Sequence, residues 1–214
     1  MVPAQEGEMK QFEQKIVSLH CEGISGRIRG LLASGGLVVF ATESSYGIAA
    51  RVDRPRALER LSLLKNRPAT SPFGTVALDQ KTVESLCSFT PELEVLASQW
   101  WPGPMTLALN PKRELHTSLL SPAKTVGVRV SPHPVASLVC LEGGGIVTAT
   151  SANLRGGSPA YTVEDLSTEL IEQVDLVIDS GPAARGVESS VVGWAESGLQ
   201  VFREGAISES AIRL

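Results

Sequence analysis

Nowhere in the 214 residues does an apolar run approach the ~18 residues of a membrane-spanning helix, and the polar, acidic start Met1–Gln14 lacks the basic and apolar regions of a signal peptide. A cytoplasmic protein without membrane association is expected. An excess of basic charge is missing too. The chain has 19 Lys and Arg against 23 Asp and Glu, a net charge of −4. Nonspecific binding to a polyanion depends on many cations, so that class is disfavoured, while a local basic pocket stays compatible with the composition. Paired cysteines are absent as well. Cys21, Cys87 and Cys140 stand far apart in contexts that read as buried or half-buried, without metal-knuckle spacing, so free thiols of a reducing compartment are expected. His20, His116 and His133 fall in unrelated contexts, and neither G-x-S-x-G nor G-x-x-x-x-G-K-[ST] occurs. The sequence therefore gives no sign of a zinc enzyme, a triad hydrolase of the elbow type or a Walker nucleotide-binding loop.

What is present is an ordinary globular composition, 43% hydrophobic and 20% charged, in a length that suits one domain. Residues 1–14 read as a flexible segment and 15–214 as the domain. "KIVSLH" alternates as a short strand. "GISGRIRGLLASGG" places Ile24, Ile28, Leu31 and Leu32 at helical spacing, and "LVVFA" is an apolar run of the kind buried on both sheet faces. "RPRALERLSLLKN" puts Leu58, Leu61 and Leu64 on one stripe, which predicts a helix from Pro55 ending before Pro68. "PELEVLASQWW", "HPVASLVCLEG" and "TVEDLSTELIEQ" are further helix candidates. "GTVALD", "MTLALN", "TVGVRV", "GIVTAT", "VDLVID", "GVESSVVGW" and "LQVFRE" are strand candidates. This mixture predicts an α/β fold: a single-domain twisted sheet, parallel and antiparallel, flanked by helices. The absence of a helix between 181 and 205 makes the end of the sheet antiparallel.

Polar side chains gather where strands end, the places at which sheet proteins hold ligands. "TESSYG" after the buried strand offers the hydroxyls of Thr42, Ser44 and Ser45 and the Glu43 carboxylate, followed by Tyr46 and Gly47, a set that also suits a helix cap or a plain turn. Lys65 and Arg67 sit at a helix end, where they either complement the helix dipole or turn together toward an anion. "WPGPMT" fixes a rigid entry to Thr106. Arg129 lies inside the apolar strand "TVGVRV", where it needs either an internal carboxylate or a ligand's, because an unpaired buried charge is costly. "TATSANLRGGSP" combines hydroxyls with a glycine pair, a composition suited to phosphate or amino-acid recognition.

In this order, the segments "GGLVVFATESSYG", "LLKNRP", "WWPGPMTLAL", "TVGVRVSPHPVA", "TATSANLRGGSP", "VDLVIDSGP", "GVESSVV" and "FREGAI" resemble the YrdC-like family of threonylcarbamoyl-AMP synthases, from about Ile24 to Ile207. The chain looks like its short, TsaC-like form. The resemblance implies a YrdC-like fold with a deep basic cavity. It implies a nucleotidyltransferase that uses ATP with Mg²⁺, L-threonine and bicarbonate, releases pyrophosphate, and passes threonylcarbamoyl-AMP to a separate threonylcarbamoyl transferase complex for tRNA modification. It implies catalytic roles for Lys65 and Arg67, and ATP contacts from Lys65, Arg67, Thr125, Ser151, Asn153, Ser158 and Arg203. Threonine contacts are implied for Thr42, Tyr46, Thr106, Arg129, Thr150 and Ser189, and no protein-held metal is implied. Two departures stand out: Ala41 where the family usually has proline, and Ser71 before Pro72 and Phe73 where many members carry a cation. Two other readings share the resemblance. One is a noncatalytic relative that binds RNA or a nucleotide, which tends to lose the K-x-R and S-x-N elements kept here. The other is a module of a larger carbamoyl-transferring enzyme, whose additional parts are not seen. The sequence leaves open direct tRNA contact and the choice between monomer and homodimer.

Overall fold

The segment "LVVFA" becomes a strand because both of its faces are covered. In the computed structural model, which describes residues 14–67, 71–184 and 186–213, β1 (Ile16–Ser18) is followed by α1 (Ile24–Ala33) and then by β2 (Val38–Ala41). Val38 and Phe40 pack into one apolar cluster and Leu37, Val39 and Ala41 into another, all essentially inaccessible to solvent. Each such aliphatic or aromatic side chain contributes roughly 1.5–3 kcal/mol on burial. Of the segment expected to be flexible, residues 1–13 lie outside the described residues.

β3 (Tyr46–Ala49) returns antiparallel to β2 and leads into α2 (Pro55–Lys65). That helix starts on Pro55 and buries Leu58, Leu61 and Leu64. It ends on Asn66 with left-handed backbone (φ 41°, ψ 48°), where the Asn66 and Arg67 amides bond back to the Leu63 and Ser62 carbonyls. The expected stop at Pro68 lies outside the described residues. Then follow β4 (Thr75–Ala77), α3 (Gln80–Leu86), β5 (Cys87–Ser88), α4 (Pro91–Trp100), β6 (Met105–Pro111), β7 (Val126–Val130) and α5 (Pro134–Glu142). β8 (Ile146–Thr148), β9 (Thr150–Ser151), α6 (Thr168–Gln173), β10 (Leu176–Asp179), β11 (Ser190–Ala195), β12 (Gly198–Arg203) and α7 (Glu209–Ile212) complete the described elements.

Hydrogen bonding divides the strands into two sheets rather than one. The first runs β1-β10-β2-β3-β9 and the second β12-β11-β6-β7-β4-β8, with β5 on β6. Both mix parallel and antiparallel pairs, and β11–β12 is antiparallel as expected. The run "GIVTAT" reads as one strand in the sequence but splits at Ala149, with β8 in one sheet and β9 in the other. The buried Thr148 hydroxyl ties this crossing to β3, donating to the Ile48 carbonyl (3.0 Å) and accepting from the Ala50 amide (2.8 Å). The helix expected over "TVEDLSTELIEQ" is likewise two pieces, a short turn at Val163–Asp165 and α6, separated because Ser167 caps the second. α1 and α5 cover one face, and the Arg29–Glu142 ion pair (2.7 Å) joins them. Cys87 and Cys140 are buried, with burial raising their thiols to about 11 and about 12; Cys21 is exposed, a correction to the expectation, because its turn precedes α1 on the surface. All three are free. No helix among the described residues is long and apolar enough to cross a membrane.

Candidate functional site

The ends of β2, β6, β7, β9 and β11 converge on a cavity of about 310 Å³ between the sheets. Its wall includes Thr42, Tyr46, Arg67, Thr106, Arg129, Thr150, Ser151, Ser189 and Arg203. A neighbouring cleft of about 210 Å³ shares Arg67, Thr150 and Ser151 and adds Lys65, Asn153 and Arg155. Thus eleven of the thirteen residues named from the sequence line one or both spaces. Thr125 and Ser158 line neither. The Thr125 hydroxyl is paired with Ser121 (2.8 Å) at the start of β7, and Ser158 is exposed beyond the glycine pair.

The turn after α2 sends its two cations to one loop. The Lys65 ammonium, buried at 8% exposure, donates to the Ser151 carbonyl (2.9 Å), the Asn153 carbonyl (2.6 Å) and Asn153 Oδ1 (2.6 Å). Its three donors are therefore all engaged by the loop in this structure. Burial, then the nearby Arg67 charge, lowers its pKa to about 8. Arg67 reaches Thr150 Oγ1 at 3.3 Å and stacks over Phe73, 5.1 Å from the ring centre, with its pKa lowered by burial. Ser151 Oγ donates to Asn153 Oδ1 (2.7 Å), so the S-x-N element is organised internally.

Across the cavity, "WPGP" holds the start of β6. A side chain at Gly103 would meet the Trp100 carbonyl at 2.3 Å, so only glycine fits there, and Trp101 Nε1 donates to the Met105 carbonyl (2.6 Å). Thr106, thus placed, shares a buried hydrogen bond of 2.7 Å with Ser189. Arg203 donates through Nε and Nη2 to the Ser189 carbonyl (3.0 and 2.8 Å) and through Nη1 to Glu188 (2.7 Å).

On the third side, the Thr42 hydroxyl donates to the Ser45 carbonyl (2.8 Å) and accepts from the Ser44 and Ser45 amides (3.3 and 3.4 Å), so "TESSYG" is a hydroxyl-stabilised turn in the cavity wall. The Tyr46 ring is buried, and its hydroxyl donates away to the Gly181 carbonyl (2.7 Å); burial raises its pKa. Arg129 has an internal carboxylate after all: its Nε lies 2.9 Å from Glu43 Oε1. The N–H is not aligned on that oxygen, and Nε has no hydrogen-bond partner, so charge rather than a hydrogen bond holds the pair. Arg155 and Glu188 carry no signal in the sequence, and Glu43 stands there only as the carboxylate of "TESSYG". A carboxylate two residues before "SYG" was visible as a residue type, but nothing local marked it as the mate of Arg129.

The family model for Sua5, YciO and YrdC, described as telomere recombination, matches residues 30–205. The chain belongs to this family. It is 31% identical over 184 residues to the threonylcarbamoyl-AMP synthase of Bacillus subtilis, covering 85% of this chain and 53% of that one. It is 31% identical over 180 residues to that of Pyrococcus abyssi, covering 83% and 53%. The chain thus spans about half the length of these two relatives. It is 30% identical to the Photobacterium profundum synthase over 158 residues, covering 72% of this chain and 85% of that one. Among solved structures, that of P. abyssi Sua5 complexed with L-threonine superposes with a TM-score of 0.79 at 29% identity, over 89% of this chain and 56% of that one. E. coli YciO superposes with a TM-score of 0.80 over 93% and 98%, at 23% identity, a likeness of fold.

Proposed function

We propose that the chain is an L-threonylcarbamoyladenylate synthase, converting L-threonine, bicarbonate and ATP to threonylcarbamoyl-AMP and pyrophosphate. One observation carries this reading: Arg67, Arg129 and Arg203, from distant points of the chain, face one cavity together with the Thr42, Thr106, Thr150 and Ser189 hydroxyls. Such a wall suits a polyanion and a small hydroxylated amino acid at once. The synthase names of the relatives and the threonine complex of P. abyssi Sua5 support the same assignment.

The chemistry needs no protein nucleophile. The threonine amine and bicarbonate give a carbamate and water. A carbamate oxygen then bonds to the ATP α-phosphorus as the bond to the bridging oxygen breaks, and that oxygen leaves with its electron pair in pyrophosphate. The protein aligns the reactants and stabilises the charge that moves onto the leaving group. Arg67 and Arg203 flank the polyphosphate, Ser151 and Asn153 hold the nucleotide, and Lys65 shapes their loop. Arg129 takes the threonine carboxylate. Among the described residues no group of three acids, histidines or cysteines could hold a metal. Mg²⁺ would enter with the substrate as magnesium–ATP, held chiefly by phosphate oxygens and water. The product would pass to a threonylcarbamoyl transferase in the cytoplasm.

The test is pyrophosphate release with each substrate omitted in turn, with the product weighed by mass spectrometry. Release that needs ATP, L-threonine and bicarbonate together is expected. Release without threonine would overturn the assignment.

A further inference from the structure

Glu43 sits on the turn between β2 and β3 with both carboxylate oxygens in use. Oε1 faces Arg129 Nε at 2.9 Å, and Oε2 accepts a short hydrogen bond from the Ser131 hydroxyl. Ser131 is buried and also accepts the His133 amide (3.2 Å), at the entry to α5. The carboxylate is thus clamped between two elements, and the Glu43 and Arg129 side chains are only 17% and 12% exposed.

Arg129 itself lines the cavity. Its Nε is buried against Glu43, while neither terminal nitrogen makes a hydrogen bond to any described residue. A guanidinium can meet a carboxylate along the edge that includes Nε or end-on through the two terminal nitrogens. Here only the terminal edge is available. We propose that Glu43 is a positioning residue that holds Arg129 end-on toward the carboxylate of the amino-acid substrate. This rests on the synthase reading above.

Two roles of Glu43 predict opposite signs. If it only offset the Arg129 charge, removing it would leave a stronger cation and L-threonine would bind more tightly. If it positions Arg129, removal lets the guanidinium swing and the carbamate loses its line on the α-phosphorus, a misplacement of the kind that costs up to about 100-fold for 1 Å. The sign of the change in kcat/KM for L-threonine therefore decides between the two roles.

The experiment measures kcat and KM for L-threonine and for ATP in wild type, Glu43→Gln, Glu43→Asp and Ser131→Ala. Gln keeps size and one acceptor, so it remains a fair test if a smaller replacement fails to fold. We expect Gln to lower kcat/KM for L-threonine about 10-fold with the KM for ATP within about 2-fold, and Asp to restore part of the loss. Ser131→Ala, which leaves the ion pair, should show a smaller effect in the same direction. Unchanged or improved kcat/KM for threonine in Gln, or equal shifts in the two KM values, overturns the positioning role alone. A wild-type protein that releases no pyrophosphate with all three substrates overturns the synthase reading, and this inference with it.

Discussion

Lys65 Nζ lies 2.6 Å from both the carbonyl and the side-chain oxygen of Asn153, and with the Ser151 carbonyl at 2.9 Å its three protons are fully engaged. Deprotonation leaves two donors for three acceptors, so the S-x-N loop must let one go. With the ammonium lowered to about 8 by burial and by Arg67, pyrophosphate release should fall as pH rises through that value. Stability moves the other way. The folded pKa lies below the ordinary 10.5, so between about 8 and 10.5 the unfolded chain binds more protons, and the Lys65 contribution to stability rises with pH across that window. A pH–rate profile should show a descending limb near 8, which Lys65→Arg, if folded, moves beyond pH 10. A limb that stays in place in the variant would assign it to another group.

Arg67 has no carboxylate partner among its described contacts: it reaches only the Thr150 hydroxyl and the face of Phe73. A half-buried cation left so lightly paired is poised for an anion. Arg67→Ala should reduce pyrophosphate release by at least about 10-fold, or ~1.4 kcal/mol of transition-state stabilisation. Arg67→Lys should recover part of that, since charge returns without the planar fork. Equal rates in all three proteins would remove Arg67 from the phosphate site.

The Tyr46 hydroxyl is turned out of the cavity, toward the Gly181 carbonyl at 2.7 Å and the Ser180 amide at 3.4 Å. Its role in the site is therefore to fix the turn beside Thr42. Tyr46→Phe should lower stability by about 1 kcal/mol, measured by urea denaturation, with the KM for L-threonine nearly unchanged. A rise of several-fold in that KM would show that the hydroxyl swings to the substrate.

Elements whose pattern is local were legible before the fold was known. "RPRALERLSLLKN" carries its own start and apolar stripe, and "LVVFA" announces double burial by lacking polar alternation. Long-range settlement was not legible. "YGIA" was missed as a strand because four residues with a glycine carry little period-2 signal, and its pairing comes from β2 and β9. "GIVTAT" splits because Thr148 bonds to β3, a tertiary event. Within the site, residue types marked Lys65, Arg67 and Arg129 as special, whereas their partners could not be read. Two of the three Lys65 acceptors are backbone carbonyls, which leave no trace in sequence, and Glu43 is one carboxylate among many. That Thr125 and Ser158 line neither space was equally hidden: order along the chain says nothing of which way a loop turns.

Behind the site, the fully buried Ser190 hydroxyl serves three backbone groups. It donates to the Ile207 carbonyl (2.6 Å) and accepts from the Gly205 and Ile207 amides (2.9 and 3.0 Å), drawing the segment after β12 onto Glu188 and Ser189. That segment lies so close that a side chain on Gly205 would come within 2.2 Å of the Glu188 carbonyl. Ser190→Ala leaves buried amides and a carbonyl unpaired and should cost about 2–3 kcal/mol. Gly205→Ala should cost more, because backbone must move, and it should carry Ser189 and Arg203 with it, lowering pyrophosphate release. Gly198→Ala is the contrast. With φ of 94° but nothing within 4 Å of the added carbon, it meets only local strain, about 1–2 kcal/mol, at a site remote from Ser189 in the strand. Urea midpoints with unchanged slope, read beside activity, separate the cases. A Gly205→Ala protein as stable and active as Gly198→Ala would mean that the segment after β12 does not brace the arginine side of the cavity.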